Sequence, residues 1–166
     1  MNRQILIAAL HAKVSEQIER TQHLIHLLPE NSVAWTPPIA GVWPVGTLTG
    51  HLLDCLAGFC AALHAAAPHA SLAALRDLPV NHACSPAEAT SRIAIYKDAL
   101  DQSFAGLCDE QLGIPIPTVF TKNGELLLTL LLGNLEHLIN HKHQLFTYLK
   151  MMGVSVGSAD LYRFRE

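Results

Sequence analysis

The segment from Glu125 to Met152 carries apolar residues at helical spacing along its whole length. Apolar side chains that recur every three or four residues lie on one face of an α-helix, where neighbouring elements must cover them. Gly153 follows directly and is a suitable C-cap, because glycine readily adopts the left-handed conformation that ends many helices. The segment therefore predicts one long helix that packs against other parts of the chain.

Three further segments predict long helices. Pro29 ends the apolar repeat of the first, because proline cannot continue a helix. Thr47 is predicted as the N-cap of the second. The third begins with Ser85, Pro86 and Glu88, which is typical of a capping box with proline at the first helical position. The predicted helices cover residues 3–28, residues 47 to about 67 and residues 85 to about 106.

The connections between these helices contain most of the turn-forming residues. Proline and glycine interrupt regular structure, so NSVAWTPPIAGVWPVG, which holds both tryptophans, predicts a packed loop. HASLAALRDLPVNHAC predicts a short helical turn followed by a loop. GIPIPTVFTKNGE contains an Asn-Gly pair and predicts an extended excursion or a small hairpin. The tail after Gly153 is predicted to be irregular.

Four long helices without a convincing sheet predict an all-α fold, a four-helix bundle that occupies residues 1–166 as a single domain. The long connections before the second and fourth of these helices leave room for a crossover topology. Hydrophobic residues make up 50% of the chain and charged residues only 15%. A surface so poor in charge predicts an apolar face that meets a second subunit, so a homodimer is expected.

Charge and cysteine spacing argue against several classes of protein. The net charge is −3 and the basic residues are scattered, which argues against nucleic-acid binding. No run reaches the roughly 18 apolar residues of a membrane span, and the first apolar stretch is too short for a signal peptide. The four cysteines form no CxxC pair, so neither a thiolate zinc cluster nor a disulfide framework is predicted. We expect a soluble cytoplasmic protein.

The last predicted helix holds three of the ten histidines within seven residues. An α-helix turns about 100° per residue, so His137 and His141 share one face while His143 points away. The face of His137 and His141 is predicted to point into the bundle. It also carries Leu130, Gly133, Gln144 and Tyr148.

His51 lies on the predicted buried face of the second helix, three residues after Leu48 and four before Cys55. A neutral histidine in apolar surroundings needs a partner for each ring nitrogen, and a metal ion satisfies one of them. Two imidazoles one turn apart reach one ion at the roughly 2.0–2.1 Å of zinc-like sites. His51, His137 and His141 are therefore candidate metal ligands. The alternative is that they are hydrogen-bonded core residues or border a small cavity.

Two stretches of the chain carry a resemblance to a known family. WTPPIAGVWPVGTLTGHLLD resembles the tryptophan-proline loop of the DinB-like (DinB/YfiT-like) metalloenzymes, followed by the helix that begins with their first metal histidine. HLINHKHQLFTYLKMMGV is similar to their later signature, two histidines four residues apart, then a glutamine and a tyrosine-leucine-basic run that ends in glycine. The resemblance extends from Trp35 to Val154. Lys142 stands where arginine is usual, and His143 stands where glycine is usual. The bulky ring of His143 is expected to interfere with close helix contact and with the family's usual dimer packing.

The resemblance implies a four-helix bundle in crossover order, commonly dimeric, with one divalent ion held by three histidines. Residue by residue, these ligands fall on His51, His137 and His141, and Gln144 matches the motif's glutamine. Zinc or nickel is the expected ion, although an all-nitrogen site also accommodates iron or copper. Relatives in the family imply two activities. One is hydrolysis, and the other is transfer or isomerisation with a low-molecular-weight thiol as cosubstrate.

Three neutral histidines leave a zinc-like ion with an open coordination position, as in catalytic sites. Water or a thiol bound there becomes a nucleophile toward a small-molecule substrate. Asp54 is predicted to accept a hydrogen bond from a ligand, or a proton near the metal, and alternatively to be solvated. Tyr148 and Gln144 are the other candidate catalytic residues, and the alternative for Tyr148 is core packing.

Several residues have two open interpretations. Cys55 is either a fourth ligand or a small core residue, and Trp35 and Trp43 either wall the pocket or fill the end of the bundle. Glu136 is expected at the surface. Surface or capping positions are also expected for most of His11, His23, His26, His64, His69 and His82. The competing hypotheses for the whole protein are a non-catalytic bundle with a structural metal or a ligand-binding cavity, and a helical adaptor.

Overall fold

Four long helices form the body of the protein. A computed structural model describes residues 4–76, 82–118 and 121–162. In chain order the helices are α1 (Ile5–His26), α2 (Val45–Ala66), α3 (Ala70–Arg76), α4 (Pro86–Ala105), α5 (Leu127–Met151) and α6 (Ser158–Tyr162). The long helices α1, α2, α4 and α5 pack together, which confirms the predicted all-α bundle.

The long helices are connected in crossover order. α1 packs on α4 and α5, and α2 packs on the same two helices, so α1 and α2 occupy opposite corners of the bundle. α4 and α5 occupy the other two corners. The connections from α1 to α2 and from α4 to α5 therefore cross between opposite corners, as the two long loops predicted.

The first turn of α2 is held by the preceding loop. The backbone N–H groups of Val45 and Gly46 donate to the carbonyls of Trp35 and Val33, at 2.9 and 2.8 Å. The first N–H groups of a helix have no partner inside it, and here the loop backbone supplies one. α2 therefore begins at Val45, and the prediction that Thr47 is its N-cap is wrong.

The other predicted helix ends are close to the observed ones. The Ser85 side chain accepts a hydrogen bond from the backbone N–H of Glu88 at 3.2 Å, which confirms it as the N-cap of α4. Gly153 has a φ of +80° and follows α5. Its N–H donates to the carbonyl of Lys150, and the next N–H donates to the carbonyl of Leu149. This pair of bonds is the Schellman motif, in which glycine avoids the strain of the left-handed conformation.

Short elements complete the fold. β1 (Pro115–Ile116) and β2 (Glu125–Leu126) pair antiparallel before α5, so the small hairpin is the correct one of the two alternatives. A 3₁₀-helix covers Asp109–Gly113. The prediction of an irregular tail is wrong for α6, because Leu161 is apolar and packs into the core.

Aliphatic and aromatic side chains fill the space between the helices. The largest fully buried ones include Ile18 of α1, Leu52 and Phe59 of α2, and Ile93 of α4. By length and composition alone, α2 is apolar enough to cross a membrane, and 72% of its most apolar window is buried inside the bundle. The core helix of a bundle meets the same criterion, so the length and composition of α2 are only weak evidence for a membrane span.

Candidate metal centre

The imidazoles of His51, His137 and His141 meet where α2 packs against α5. The ring centroid of His51 lies 4.9 Å from that of His137 and 4.5 Å from that of His141. The two rings on α5 are 4.7 Å apart. The Nε2 atoms of His51 and His137 are separated by 3.0 Å. Folding thus brings together the three histidines that the sequence singled out.

The cluster lies at the edge of the bundle. His137 and Gly133 are exposed, and His51 and His141 are half-buried. The prediction that this face of α5 points into the bundle is therefore wrong for Gly133 and His137. The buried face of α5 is a row of leucines that includes Leu138, and the histidines lie at its margin, where α5 meets α2.

A chain of hydrogen bonds determines which nitrogen of His141 carries the proton. The Tyr148 hydroxyl donates to the backbone carbonyl of Trp43 at 3.1 Å, because a carbonyl can only accept. The hydroxyl accepts from the side-chain amide nitrogen of Gln144 at 3.0 Å, so Gln144 Oε1 faces Nδ1 of His141 at 2.9 Å. His141 must then donate from Nδ1, and Nε2 keeps its lone pair. A histidine in this state binds a metal through Nε2.

Asp54 has the same effect on His51. Nδ1 of His51 lies 3.3 Å from Oδ2 of Asp54, and a carboxylate at this distance favours a proton on Nδ1. The Asp54 side chain is only 10% exposed, which excludes the solvated alternative. A carboxylate behind a histidine is the usual arrangement for orienting a metal ligand.

Trp43 forms one wall of the cluster. Its ring centroid lies 4.8 Å from that of His51 and 5.7 Å from that of His141, and the residue is 38% exposed. Trp35 packs against the core instead, and its ring makes an edge contact with Tyr148 at 5.7 Å. Of the two open alternatives, the wall describes Trp43 and core packing describes Trp35.

A sulfur atom lies beside the histidines. The Sγ of Cys55, one nitrogen of His51 and one of His137 all lie within 4.8 Å of one another, a group that does not include His141. Cys55 is 2% exposed, and its thiol donates weakly to the carbonyl of His51 at 3.4 Å. Burial, and then the negative charge of Asp54, raise the pKa of the Cys55 thiol to about 12.

Partial desolvation of the rings within the cluster lowers the pKa of His137 and of His141 below the ordinary value for histidine, although the residue His137 is exposed overall. The charges of His141 and His51 lower the pKa of His137 further, whereas the hydrogen bond to Gln144 opposes the shift at His141. The shifts favour neutral His137 and His141, which is the form of histidine that binds metals.

These donors fit a zinc-like ion. Imidazole nitrogens and a thiolate sulfur bind zinc and nickel in preference to hard cations such as magnesium and calcium. A tetrahedral ion with nitrogen ligands at 2.0–2.1 Å separates two of them by about 3.3 Å. The 3.0 Å between the Nε2 atoms of His51 and His137 is close to that separation.

A second group of ligating side chains was not predicted from the sequence. His82, Cys84 and Glu88 also have ligand atoms within 4.8 Å of one another. Nη1 of Arg92 lies 2.9 Å from Nε2 of His82 and 3.5 Å from Oε1 of Glu88. A guanidinium in this position repels a cation, so we assign the group to the packing at the start of α4. The spacing of His82, Cys84 and Glu88 is the signal that was available in the sequence.

The remaining residues lie where they were expected. Glu136 is exposed, and none of the six other histidines named above is buried. His11 Nε2 contacts Asp101 Oδ1 at 2.6 Å, and His23 Nε2 contacts Asp160 Oδ1 at 3.0 Å. Both are partly exposed contacts that join surface elements.

Comparisons with known proteins agree with the bundle. A crystal structure of a DinB-like protein (YjoA) from Bacillus subtilis has a TM-score of 0.69 at 18% identity, covering 89% of this chain and 94% of that chain. A crystal structure from Exiguobacterium sibiricum, of a protein proposed as a member of the DinB family, has a TM-score of 0.63 at 23% identity, covering 96% and 99%. At such identities the likeness concerns the fold alone.

The family itself follows from the sequence match. No curated protein matches the chain. A sequence model of the DinB superfamily, however, matches residues 13–149, a range that includes all three clustered histidines. The chain therefore belongs to the DinB superfamily.

Proposed function

We propose that this protein is a divalent-metal-dependent enzyme in which His51, His137 and His141 hold one ion, zinc or nickel. The observation that carries the proposal is the convergence of the three imidazoles, two of which have Nδ1 held by Asp54 and Gln144. Acceptors beside Nδ1 leave Nε2 available, as is usual for metal-binding histidines. Membership of the DinB superfamily supports the proposal.

When bound, such an ion lowers the pKa of a water or a small thiol, which supplies a nucleophile at neutral pH for hydrolysis or thiol transfer. The chain orients the donors and limits access to them. Trp43 covers one side of the cluster, and the exposed edge at His137 leaves a route for a small-molecule substrate.

The three candidate catalytic residues have positioning roles in this proposal. Asp54 holds His51, and Gln144 holds His141. The Tyr148 hydroxyl is engaged with Gln144 and with a backbone carbonyl, so it supports His141 indirectly. Their hydrogen bonds are directed at ligands, and we expect their substitution to change metal affinity first.

Metal analysis of the purified protein is the first test. One equivalent of ion per chain is expected, and His137→Ala should lose it while the helical circular dichroism is retained. His26→Ala is the matched control, because His26 is exposed at the end of α1 and belongs neither to the cluster nor to the outer face of α5. A wild-type protein that binds no stoichiometric ion, even after incubation with zinc or nickel, contradicts the proposal.

Activity measurements then separate the two reactions. Low-molecular-weight thiols paired with electrophilic acceptors test transfer, and activated esters and amides test hydrolysis. Either activity should require the ion and fall to background in His137→Ala but not in His26→Ala. A metal-loaded protein that turns over neither panel favours a structural role for the ion.

That structural role is the second candidate function. The observation in its favour is that the ligands come from both α2 and α5, so an ion would join the two helices. Removal of the ion by a chelator distinguishes the candidates. If the ion is catalytic, the metal-free protein should still unfold cooperatively, because apolar packing already holds the helices together. If the ion is structural, the metal-free protein should fail to fold.

We further propose that the functional unit is a homodimer formed through the outer face of α5. Leu132 is 48% exposed and Ile139 is 36% exposed, and their seven-residue spacing puts them on one stripe. Exposed large apolar side chains on one stripe are typical of an interface. Light scattering should give a dimer for the wild type and a monomer for Leu132→Glu. A monomeric wild type contradicts this proposal.

A further inference from the structure

We propose that Cys55 provides a sulfur ligand to the same ion, which makes the resting site a set of three imidazoles and one thiolate. This inference rests on the metal binding proposed above and goes beyond it, because the three-histidine set alone makes no use of Cys55. It starts from the position of Cys55, one helical turn after His51 on α2.

The distances favour ligation by Cys55. Its Sγ, a nitrogen of His51 and a nitrogen of His137 lie within 4.8 Å of one another. A tetrahedral ion with nitrogen ligands at 2.0–2.1 Å and sulfur at 2.3 Å separates sulfur from nitrogen by about 3.6 Å. A shift of roughly one ångström therefore brings the sulfur to the separation that ligation together with His51 and His137 requires. Rotation of Cys55 about its Cα–Cβ bond moves the sulfur, and the 3.4 Å contact of the thiol with the carbonyl of His51 is weak enough to be given up.

Cys55 would approach the ion from the inner side of the cluster, which leaves the side that faces solvent open for a substrate. Cys55 is 2% exposed and lies on the inner side of the cluster, whereas His137 and Trp43 border solvent. A sulfur ligand from the inner side therefore does not occupy the outer side of the site. Zinc sites with four ligands accept a fifth during turnover in some enzymes, so the inference is compatible with the proposed activity.

Ligation changes the chemistry of the site. The S–H bond of Cys55 breaks as the metal–sulfur bond forms, and the proton leaves to solvent. A thiolate reduces the net charge of a divalent site by one unit, and sulfur selects zinc, copper or other soft ions over magnesium, calcium and manganese. A site with this sulfur ligand therefore accepts a narrower range of metal ions than a site with nitrogen ligands alone.

Cobalt substitution tests the inference without an activity assay. Addition of Co²⁺ to the metal-free wild type should give one equivalent of bound ion and a sulfur-to-cobalt charge-transfer band in the near ultraviolet. Cys55→Ser should bind cobalt without that band. Cys60→Ser and Cys84→Ser are the controls. Cys60 is buried on the same helix outside the cluster, and Cys84 belongs to the second group of ligating side chains.

Each result of this experiment has a defined meaning. A band that survives in Cys55→Ser, or that disappears in Cys84→Ser, overturns the inference. So does one equivalent of bound cobalt without any band in the wild type, a result that leaves the proposed three-histidine function intact. Failure to bind any ion overturns the proposed function itself.

A measurement on the wild type covers the case in which Cys55→Ser does not fold. X-ray absorption at the zinc edge should then detect one sulfur neighbour at about 2.3 Å in addition to nitrogen neighbours. A first shell of nitrogen and oxygen alone overturns the inference.

Discussion

The Nε2 atoms of His51 and His137 lie 3.0 Å apart across the contact between α2 and α5. With the single proton of a neutral His51 on Nδ1 beside Asp54, the Nε2–H of His137 donates to Nε2 of His51. A shared ion requires both Nε2 lone pairs, and the proton of His137 then belongs on Nδ1. The contact therefore links the tautomer of His137 to metal binding.

Removal of the Tyr148 hydroxyl should weaken metal binding, although the hydroxyl does not contact the cluster. Tyr148→Phe leaves the amide of Gln144 without the acceptor that orients it, so Nδ1 of His141 loses a defined partner. Loss of such an indirect contact costs about 10- to 100-fold in metal affinity. Competition titration with a chromophoric chelator measures the change. Tyr96→Phe is the control, since that hydroxyl bonds the carbonyl of Leu75 away from the site. Equal affinities for Tyr148→Phe and the wild type would show that the chain of hydrogen bonds has no role.

Neutralisation of Asp54 should have an effect of similar size. Asp54→Asn keeps the shape of the side chain but replaces the carboxylate that holds the proton of His51 on Nδ1. We expect metal affinity to fall by at least about tenfold, with little change in the free energy of unfolding of the metal-free protein. Asp98→Asn, an exposed carboxylate on α4, serves for comparison. A large loss of stability with unchanged affinity would make Asp54 a structural residue instead.

Metal binding should quench the fluorescence of one of the two tryptophans. The ring of Trp43 lies 4.8 Å from that of His51, whereas Trp35 contacts Tyr148. A paramagnetic ion such as Ni²⁺ or Cu²⁺ should therefore quench Trp43 more strongly. Titration of Trp35→Phe should retain most of the quenching, and titration of Trp43→Phe should lose most of it. The reverse pattern would place the ion elsewhere.

Lys142 should make stability rise with pH above neutrality. The side chain is 3% exposed, its ammonium donates to Gln17 Oε1 at 2.7 Å, and burial lowers its pKa from 10.5 to about 8. Between these pKa values the unfolded chain keeps a proton that the folded chain has released, so stability increases with pH across this window. The free energy of unfolding of the wild type relative to Lys142→Met should rise by about 2 kcal/mol between pH ~7.5 and ~9.5.

A second lysine on the same helix provides the control for this pH dependence. Lys150 is exposed, so the wild type relative to Lys150→Met should give a difference that does not change with pH. Chemical denaturation at a series of pH values measures both differences. A flat difference for Lys142→Met would mean that the buried amine stays protonated across this range.

Local signals predicted the elements of the fold well. The apolar repeat of α5, the serine N-cap of α4 and the Asn-Gly pair of the hairpin act over a few residues, so the sequence contains them directly. The start of α2 was misplaced because its first N–H groups bond to a loop carbonyl ten or more residues earlier. A bond of that kind depends on how the loop folds back, which no local pattern encodes.

The site was predictable in part. Helical periodicity put His137 and His141 on one face of the last helix and His51 on the inward face of the second, and the resemblance to a known family matched the same three residues. Periodicity did not reveal that this face lies at the margin of the buried stripe, which is why His137 was wrongly expected to be buried. Nor did it predict that the Trp43 carbonyl would orient Tyr148, and through it Gln144 and His141.

The sequence by itself determined that this chain forms helices, where most of them end, and which side chains share a helical face. These properties depend on backbone geometry within a turn or two. The tertiary structure alone decided that His51 faces His137, 86 positions away, and that Cys55 lies beside them both. Contacts of that separation depend on how the helices pack, and packing is set by the whole core at once.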